Sequence, residues 1–406
     1  MKLYWKSLVI AIIVVLTIPI FYVKSSLISS ESKLDLVHEK ESGDEKYLQK
    51  LIIEADAQFR NSGYTQMKLV GNELINRNNE GFNSRMNDDY NKPELIKGYE
   101  KDYRNFMRGK NNDKKSFIES DEYIVYVEID EPRNSHINSE KKELYVSVLD
   151  KKTKETKTFK EKISVTKGTY FIYLLNISLE DNILNVMTSA ELESQKKIDN
   201  YALNIVNQTI INQEEIMSID TTNNGDIYED LSTINVDNTS TDLIINRERT
   251  EVVDEAETIN EYGEEEITTN KYYHYNIPNK ELKELQFENI DSMTAIDVNE
   301  GKFIYSVENK GKLKVESYDL EKLIVDKIAY HVSDQIASDQ FMSGAIHDNA
   351  LYMFYNDINK ENEVESLKIE VINLNDMKNL YTGSVIIKNT DIDLDYIDFQ
   401  SPQFNE

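Results

Sequence analysis

The amino-acid sequence predicts an all-β fold, preceded by a short helical segment and by one apolar segment near the N-terminus. Two observations predict the strands. From Tyr123 onward, β-branched and aromatic runs are bounded by polar turns, and helical periodicity is nearly absent. A pattern of buried strand, tight turn and aromatic strand also recurs after roughly 50 residues. Together these features indicate a repetitive antiparallel architecture.

The apolar segment is Leu8–Val23, a run of residues without a single charge. Lys2 and Lys6 precede it and Lys24 follows it. With its flanks the run is long enough to cross a bilayer core, which takes about 17–25 residues. Lysines at the short leading end predict a cytoplasmic N-terminus and an extracytoplasmic remainder. The alternative is a cleaved signal peptide, although Val23 and Ser25 form a poor cleavage site.

The composition indicates in which cell compartment the protein works and which classes of partner it excludes. The chain has no cysteine, which excludes a disulfide framework, thiolate metal sites and cysteine nucleophiles. An exported protein without disulfides is typical of the bacterial cell envelope. The formal net charge of −28 would repel a phosphate backbone, so we expect no nucleic-acid partner. Expected partners are the membrane, through Leu8–Val23, and a protein or cell-wall component outside the cell.

A helical region is predicted between residues 45 and 119. Ser42 and Glu45 have the spacing of a capping box, and the apolar residues of Leu48–Phe59 fall at helical spacing before Gly63. A second helix is predicted between Pro93 and Gly109. The apolar face of this second helix consists of Leu95, Ile96, Tyr99, Tyr103, Phe106 and Met107.

Eleven runs after residue 120 are predicted as strands because β-branched and aromatic residues dominate them. They are Tyr123–Ile129, Leu144–Leu149, Tyr170–Leu175, Ile183–Met187, Tyr201–Val206, Asp242–Glu248, Lys271–Ile277, Lys302–Val307, Leu313–Asp319, Leu351–Asp357 and Leu367–Leu374.

The internal repeat is clearest in two copies. Ala295–Asp297 leads through Gly301 into FIYSV and then into an alternating strand. Fifty residues later, Ala345–His347 leads through a second turn into LYMFY and another alternating strand, and Asp or Asn closes both alternating strands. In this pattern the chain resembles the β-propeller superfamily, whose blades are four-stranded units of about 40–50 residues. The resemblance implies about five to seven blades; a pair of β-sandwiches or a solenoid is the alternative.

These expectations give a predicted domain order. It runs from a cytoplasmic tail (1–7), a transmembrane anchor (8–23), a tether (24–44) and a helical neck (45–119) to a propeller-like domain (120–399) and a C-terminal tail (400–406).

One group of carboxylates is a candidate metal site. Asp391, Asp393 and Asp395 alternate along TDIDLDYIDF, and carboxylate oxygens are ligands that Ca²⁺ prefers. Tyr396 stands where a calcium-binding loop needs glycine, and Pro402 where it needs glutamate. The competing interpretation is an ordinary strand with the three carboxylates on one face. Calcium is therefore a possible ligand, and no other cofactor is predicted.

The predicted function is that of a membrane-anchored binding or sensing module of the cell envelope. Scaffold and topology are visible in the sequence, whereas nucleophile elbows, phosphate-binding loops and dinucleotide fingerprints are not. A propeller rim would then contact a protein, peptide or glycan. The alternative is an envelope hydrolase or lyase with carboxylates in a propeller funnel. A passive assembly factor is a third possibility.

Overall fold

The structure is a computed structural model. It describes residues 36–59, 63–71, 73–76, 92–130, 142–163, 169–221, 227–234, 241–253, 265–287, 293–309, 312–326, 330–331, 341–358, 364–387, 394–399 and 403–404.

The described strands form six sheets, in which every recorded strand pair is antiparallel, and the chain divides into two compact units. The first unit contains sheets I and VI, and the second unit, Lys92–Ser338, contains sheets II to V. The repeated antiparallel sheets of four or five strands support a propeller-type fold.

In the first unit, sheet I combines β26 (Leu394–Phe399), β2 (Leu51–Phe59), β3 (Gly63–Val70) and β4 (Glu73–Asn76), with β27 (Gln403–Phe404) paired to β2. Sheet VI combines β22 (Phe341–His347), β23 (Ala350–Ile358), β24 (Val364–Asn373), β25 (Asn379–Ile387) and β1 (Leu36–Gly43).

In the second unit, sheet II contains β5 (Phe117–Glu119), β6 (Tyr123–Asp130), β7 (Lys142–Asp150) and β8 (Thr156–Ile163). Sheet III contains β9 (Thr169–Glu180), β10 (Ile183–Leu192), β11 (Gln195–Asn204) and β12 (Thr209–Asp220). Sheet IV contains β13 (Ile227–Ile234), β14 (Asp242–Val253), β15 (Glu265–Asn276) and β16 (Glu281–Glu284). Sheet V contains β17 (Met293–Asn299), β18 (Lys302–Asn309), β19 (Lys312–Asp319), β20 (Ile324–Val325) and β21 (Tyr330–His331).

Sheets II to V pack through three successive apolar layers, one between each pair of neighbours. The continuous apolar run of strand β14 is explained by its burial on both faces. Leu243 and Ile245 pack in the layer between sheets III and IV, whereas Ile244 packs in the layer between sheets IV and V. Because successive side chains of a strand point to opposite faces, a strand covered on both faces needs apolar residues at every position.

A turn closed by Asp or Asn recurs in five of the six sheets. Asp150, Asn204, Asn276, Asp319 and Asn373 each end a strand, and the side-chain oxygen of each accepts a hydrogen bond from a backbone N–H two or three residues later. In each turn the fourth residue after the Asp or Asn has a positive φ, between 51° and 63°. The closing Asp or Asn of the predicted repeat therefore stabilises a left-handed turn, for which Asp and Asn side chains are suited.

The two clearest sequence copies have the same structure. The β17–β18 turn holds Glu300 and Gly301 at positive φ, and the β22–β23 turn holds Asp348 and Asn349 likewise, which is the geometry of a tight two-residue hairpin. Four aromatic residues of the two aromatic strands of the repeat are at most 3% exposed; they are Phe303, Tyr305, Tyr352 and Phe354.

The helix predicted over Leu48–Phe59 is wrong. Residues Leu51–Phe59 form β2, and a single 3₁₀ turn, Glu45–Leu48, precedes it with Asp44 rather than Ser42 as its cap. The segment LIIEADAQF is compatible with the helical period of 3.6 residues and with the strand period of 2. In the structure, positions 51, 53, 55 and 57 all pack in one apolar cluster with sheet VI. Burial against this cluster overrides the local helical spacing.

The helix predicted between Pro93 and Gly109 is confirmed, with one interruption. It consists of α1 (Glu94–Asp102) and α2 (Arg104–Met107), broken at Tyr103, where φ is −132°. The predicted apolar face packs in one cluster with sheet II. Gly109 ends the segment with φ of +81°, a left-handed conformation that glycine adopts without strain.

Both ends of the predicted domain need correction. Residues Leu36–Gly43, assigned to the tether, form β1 and pair with β25. Gln403 and Phe404, assigned to the C-terminal tail, form β27 and pair with β2. The all-β region therefore begins at Leu36 instead of residue 120. No helix among the described residues is long and apolar enough to cross a membrane, and Leu8–Val23 lies outside them.

Candidate binding pocket

A small cavity of about 140 Å³ lies within the second unit, where the ends of sheets II, III and IV meet. It is lined by Ile118, Glu119, Ser120, Ser178, Leu179, Glu180, Asn185, Thr241, Ile277 and Pro278. Apolar walls from Ile118, Leu179 and Ile277 combine with amide, hydroxyl and carboxylate groups. Apolar walls with a few polar groups are also the usual lining of ligand sites, but this cavity is smaller than the about 300–1,000 Å³ of drug-sized ligand pockets and has room for a small group only.

Behind the cavity, the face of sheet III that packs against sheet IV carries polar side chains. Asn176 pairs across β10 with Met187, which in turn pairs with Asn200, and Asn200 pairs with Glu214 on β12. Cross-strand partners share a face, so these four residues form one row across the sheet. The next row contains Ser178 and Asn185, which line the cavity. The cavity therefore opens beside a polar patch, which consists of Asn176, Ser178, Asn185, Asn200, Asn212 and Glu214.

The carboxylate of Glu214 is the centre of this polar patch. The hydroxyl of Tyr275 on β15 donates to Glu214 Oε1 at 2.6 Å, and the amide Nδ2 of Asn212 donates to Oε2 at 3.2 Å. Asn200 Nδ2 lies 3.4 Å from Oε1, and Lys280 Nζ lies 3.4 Å from Oε2. Burial opposes ionisation of Glu214, but these donors and the ammonium outweigh it, so the pKa of Glu214 lies below its usual value.

Some amide groups of the patch have no hydrogen-bond partner within the described part of the chain. Both side-chain polar atoms of Asn176 are unpaired, and its side chain is only 1% exposed. The oxygen Oδ1 of Asn200 is unpaired as well, at the same exposure. An unpaired buried polar group costs about 1–3 kcal/mol. Both asparagines lie one row from the cavity residues Ser178 and Asn185 on the same face, so a polar guest or an ordered water that reaches this row gains hydrogen bonds.

One wall of the cavity is held rigidly. Glu119, on β5, forms an ion pair of 2.6 Å with Lys151 Nζ through Oε1 and accepts a hydrogen bond of 2.8 Å from the Tyr99 hydroxyl through Oε2. Tyr99 belongs to α1, so the confirmed helix positions a cavity residue. The second glutamate, Glu180, ends β9 and is exposed. Lys151 already neutralises Glu119, so Glu180 is the carboxylate of the lining that favours hydrogen-bond donors and positive charge.

The predicted calcium ligands are placed only in part. Asp391 and Asp393 lie outside the described residues, and Asp395 belongs to β26. Within the described residues no three His, Cys, Asp or Glu side chains are grouped so that they could hold a metal ion. The calcium site at these three positions stays a prediction.

The sequence prediction missed the residues of the pocket, although a signal was present. Asn185 interrupts the apolar run ILNVM, and Asn176 interrupts YFIYLLNIS. A polar residue inside a strand that is otherwise buried on both faces needs an explanation. Glu214 and Tyr275 gave no such signal, because the sequence does not show that β12 and β15 face each other.

Comparison with known proteins assigns no family. No protein-family model matches the chain, and no curated protein matches its sequence. Among solved structures, the chain is similar to TolB from Acinetobacter baumannii (10% identity, TM-score 0.32, covering 87% of this chain and 67% of the other). It is also similar to an apocarotenoid oxygenase mutant from Synechocystis (7% identity, TM-score 0.43, covering 92% and 95%). A third likeness is to a puromycin hydrolase (6% identity, TM-score 0.33, covering 84% and 46%). At these identities and TM-scores the likenesses assign no function.

Proposed function

We propose that this chain is a binding module and that the cavity between sheets II, III and IV receives a small polar group of its ligand. The observation that supports the proposal is the unpaired amide of Asn176, buried in the same face as the cavity residues Ser178 and Asn185. A purely structural core would replace such an amide with an apolar side chain at a gain in stability.

The lining indicates the chemistry of the guest. Glu180 supplies a carboxylate that solvent reaches, Asn185 and Ser178 supply hydrogen-bond acceptors, and the wall opposite is aliphatic. A primary ammonium on a short aliphatic stem satisfies all three, as in a lysine side chain or a small amine. The chain has 74 acidic and 46 basic residues, and this excess of negative charge would attract such a ligand over a longer range.

Titration with butylamine tests the proposal, with 1-butanol as the neutral control. Butylamine should shift the NMR signals of cavity residues in a saturable way at millimolar concentration, and 1-butanol should bind at least about fivefold more weakly, since it lacks the charge. Glu180→Gln should weaken butylamine binding by a similar factor, whereas the matched exposed variant Glu321→Gln should not change it. Equal binding of the amine and the alcohol, or no effect of Glu180→Gln, would contradict an ammonium site.

We place the module in the cell envelope, anchored by Leu8–Val23 with the N-terminus in the cytoplasm, and take its six sheets to be propeller blades. The support is the charge-free length of this segment with lysines at its leading end. A reporter fused after Glu406 should be active only on the outer side of the membrane. A soluble form that begins near Ser26 would show cleavage instead of anchoring.

A hydrolase or lyase that uses the cavity carboxylates is the competing proposal. Binding is favoured because Glu119 is already engaged by Lys151 and Tyr99, which leaves Glu180 without a second free carboxylate to share acid and base roles.

A further inference from the structure

Strand β9 exposes two aromatic side chains side by side. Phe171 is 55% exposed and Tyr173 is 46% exposed, and they are two residues apart on the edge strand of sheet III. Their ring centroids are 6.0 Å apart and their planes differ by only 20°. Large aromatic residues are usually buried, because each contributes a large apolar area. Two neighbouring exposed rings in near-parallel orientation therefore form an unusual apolar surface.

The register of sheet III shows which groups share this surface. Tyr173 pairs with Ser189, and Phe171 pairs with Glu191, on the adjacent strand β10. The intervening residues, Ile172 and Ala190, pack in the apolar layer between sheets II and III. The rings therefore lie on the opposite face of sheet III, together with Ser189 and Glu191.

Polar groups flank the rings on that face. The hydroxyl of Ser189 lies beneath this surface, because Ser189 is only 3% exposed, so the accessible polar groups are those of Glu191 and Lys196. The carboxylate of Glu191 lies 3.6 Å from Lys196 Nζ on β11, and Lys196 also pairs with Asp230 on β13. The rings thus have a carboxylate and an ammonium beside them, which can accept from and donate to a ligand that lies across the ring faces.

We propose that Phe171 and Tyr173, with Glu191 and Lys196, form a carbohydrate-binding surface. A pyranose ring has an apolar face of C–H groups, which suits an exposed aromatic face, and a rim of hydroxyl groups, which need both donors and acceptors. Apolar side chains of a peptide would cover the rings but leave the Glu191 carboxylate and the Lys196 ammonium without new partners. This surface and the butylamine cavity share one face of sheet III, but Phe171 and Tyr173 do not line the cavity.

Calorimetric titration with neutral oligosaccharides tests the proposal. The probes are chitotetraose and maltotetraose, with a proline-rich decapeptide as the competing ligand class. We expect at least one oligosaccharide to bind, and the double variant Phe171→Ala with Tyr173→Ala to weaken that binding by about tenfold or more, since two stacking faces are lost. Tyr228→Ala, which removes a third ring that is 48% exposed on β13, is the matched control and should leave binding unchanged.

Two further measurements separate recognition from folding. The urea midpoint of the double variant should equal that of the wild type, because both rings are exposed. Glu191→Gln should weaken oligosaccharide binding by about threefold with little change in the urea midpoint, since a partly exposed ion pair such as Glu191–Lys196 contributes little to stability. Absence of oligosaccharide binding, binding unaffected by the double variant, or binding of the peptide alone would overturn the proposal. The Glu180→Gln variant should bind oligosaccharide normally, so failure of the amine site does not affect the outcome.

Discussion

Sheet IV has two faces, and the layers that cover them are built in opposite ways. The face toward sheet V is an aromatic layer, in which Phe287 lies 5.1 Å from the ring of Tyr305 and 6.0 Å from that of Phe303. The face toward sheet III has aliphatic residues at its centre, but at one end it meets the polar patch, where Tyr275 donates to Glu214. One layer is closed by interlocking rings, whereas the other combines an apolar centre with unpaired amides.

The difference shows how one strand can serve two purposes. Because alternate residues of β14 and β15 point to opposite faces, stability and the proposed recognition involve separate sets of side chains in the same sheet. The aromatic layer contributes burial and ring contacts, which stabilise the fold. The polar layer buries less apolar area and contains hydrogen-bonding groups that are available to the proposed ligand.

The largest expected effect is in the aromatic layer. Phe303→Ala should lower the free energy of unfolding by about 3–5 kcal/mol, because a fully buried ring is replaced by a cavity. Urea midpoints measure this change. Phe171→Ala removes an exposed ring from sheet III and should cost less than about 0.5 kcal/mol. If the two variants unfold at similar urea concentrations, the aromatic layer is not the main source of stability.

A smaller loss is expected in the polar layer. Tyr275→Phe removes the donor that lies 2.6 Å from the Glu214 carboxylate, and should cost about 1.5–3 kcal/mol, as for other hydrogen bonds to charged groups. Its matched control is Tyr272→Phe in the aromatic layer, where the ring contacts with Phe287 and Phe303 are kept. If Tyr272→Phe lowers the free energy of unfolding as much as Tyr275→Phe in the same thermal or urea experiment, the loss does not come from the hydrogen bond to Glu214.

Replacing the unpaired amide of Asn176 should stabilise the protein, unlike the two preceding changes. Asn176→Leu should raise the free energy of unfolding by about 1 kcal/mol, because the variant fills the same site without a buried group that lacks a partner. The same variant should bind butylamine more weakly if the amide contributes to the pocket. A lower urea midpoint for Asn176→Leu would show that the amide is satisfied in the folded protein.

The smallest effect is a pH dependence confined to the polar layer. The folded pKa of Glu214 is below its ordinary value of 4.5, so this carboxylate stabilises the protein above about pH 4.5, and the contribution is lost as pH falls through the folded pKa. Wild-type stability should therefore decrease more between about pH 5 and pH 3 than that of Glu214→Gln. Parallel stability curves for the two proteins would show that the hydrogen bonds to Glu214 do not favour its charged form.

The strands and the repeat could be predicted because burial on both faces leaves continuous apolar runs such as Leu243–Ile245. The helix after Pro93 could be predicted because its apolar face and its glycine stop are local signals. The region Leu51–Phe59 was mispredicted, since its true period depends on contacts with β23 to β25, which are distant in sequence. The polar patch beside the cavity depends in the same way on distant strands, because the Tyr275–Glu214 contact joins two sheets, so the sequence indicated only the anomalous asparagines.

The pairing of β1 with β25, and of β2 with β26, has a consequence for the order of folding. The Tyr381 hydroxyl lies 3.1 Å from His38 Nδ1 across a separation of 343 residues, so sheets I and VI need strands from both ends of the chain. During synthesis the sheets of Lys92–Ser338 already have all their described strands when β22 begins, whereas β1 and β2 must wait for their C-terminal partners. Until then β2 exposes an unpaired apolar edge, so a ribosome stalled after residue 338 would release an aggregation-prone chain whose central sheets are complete.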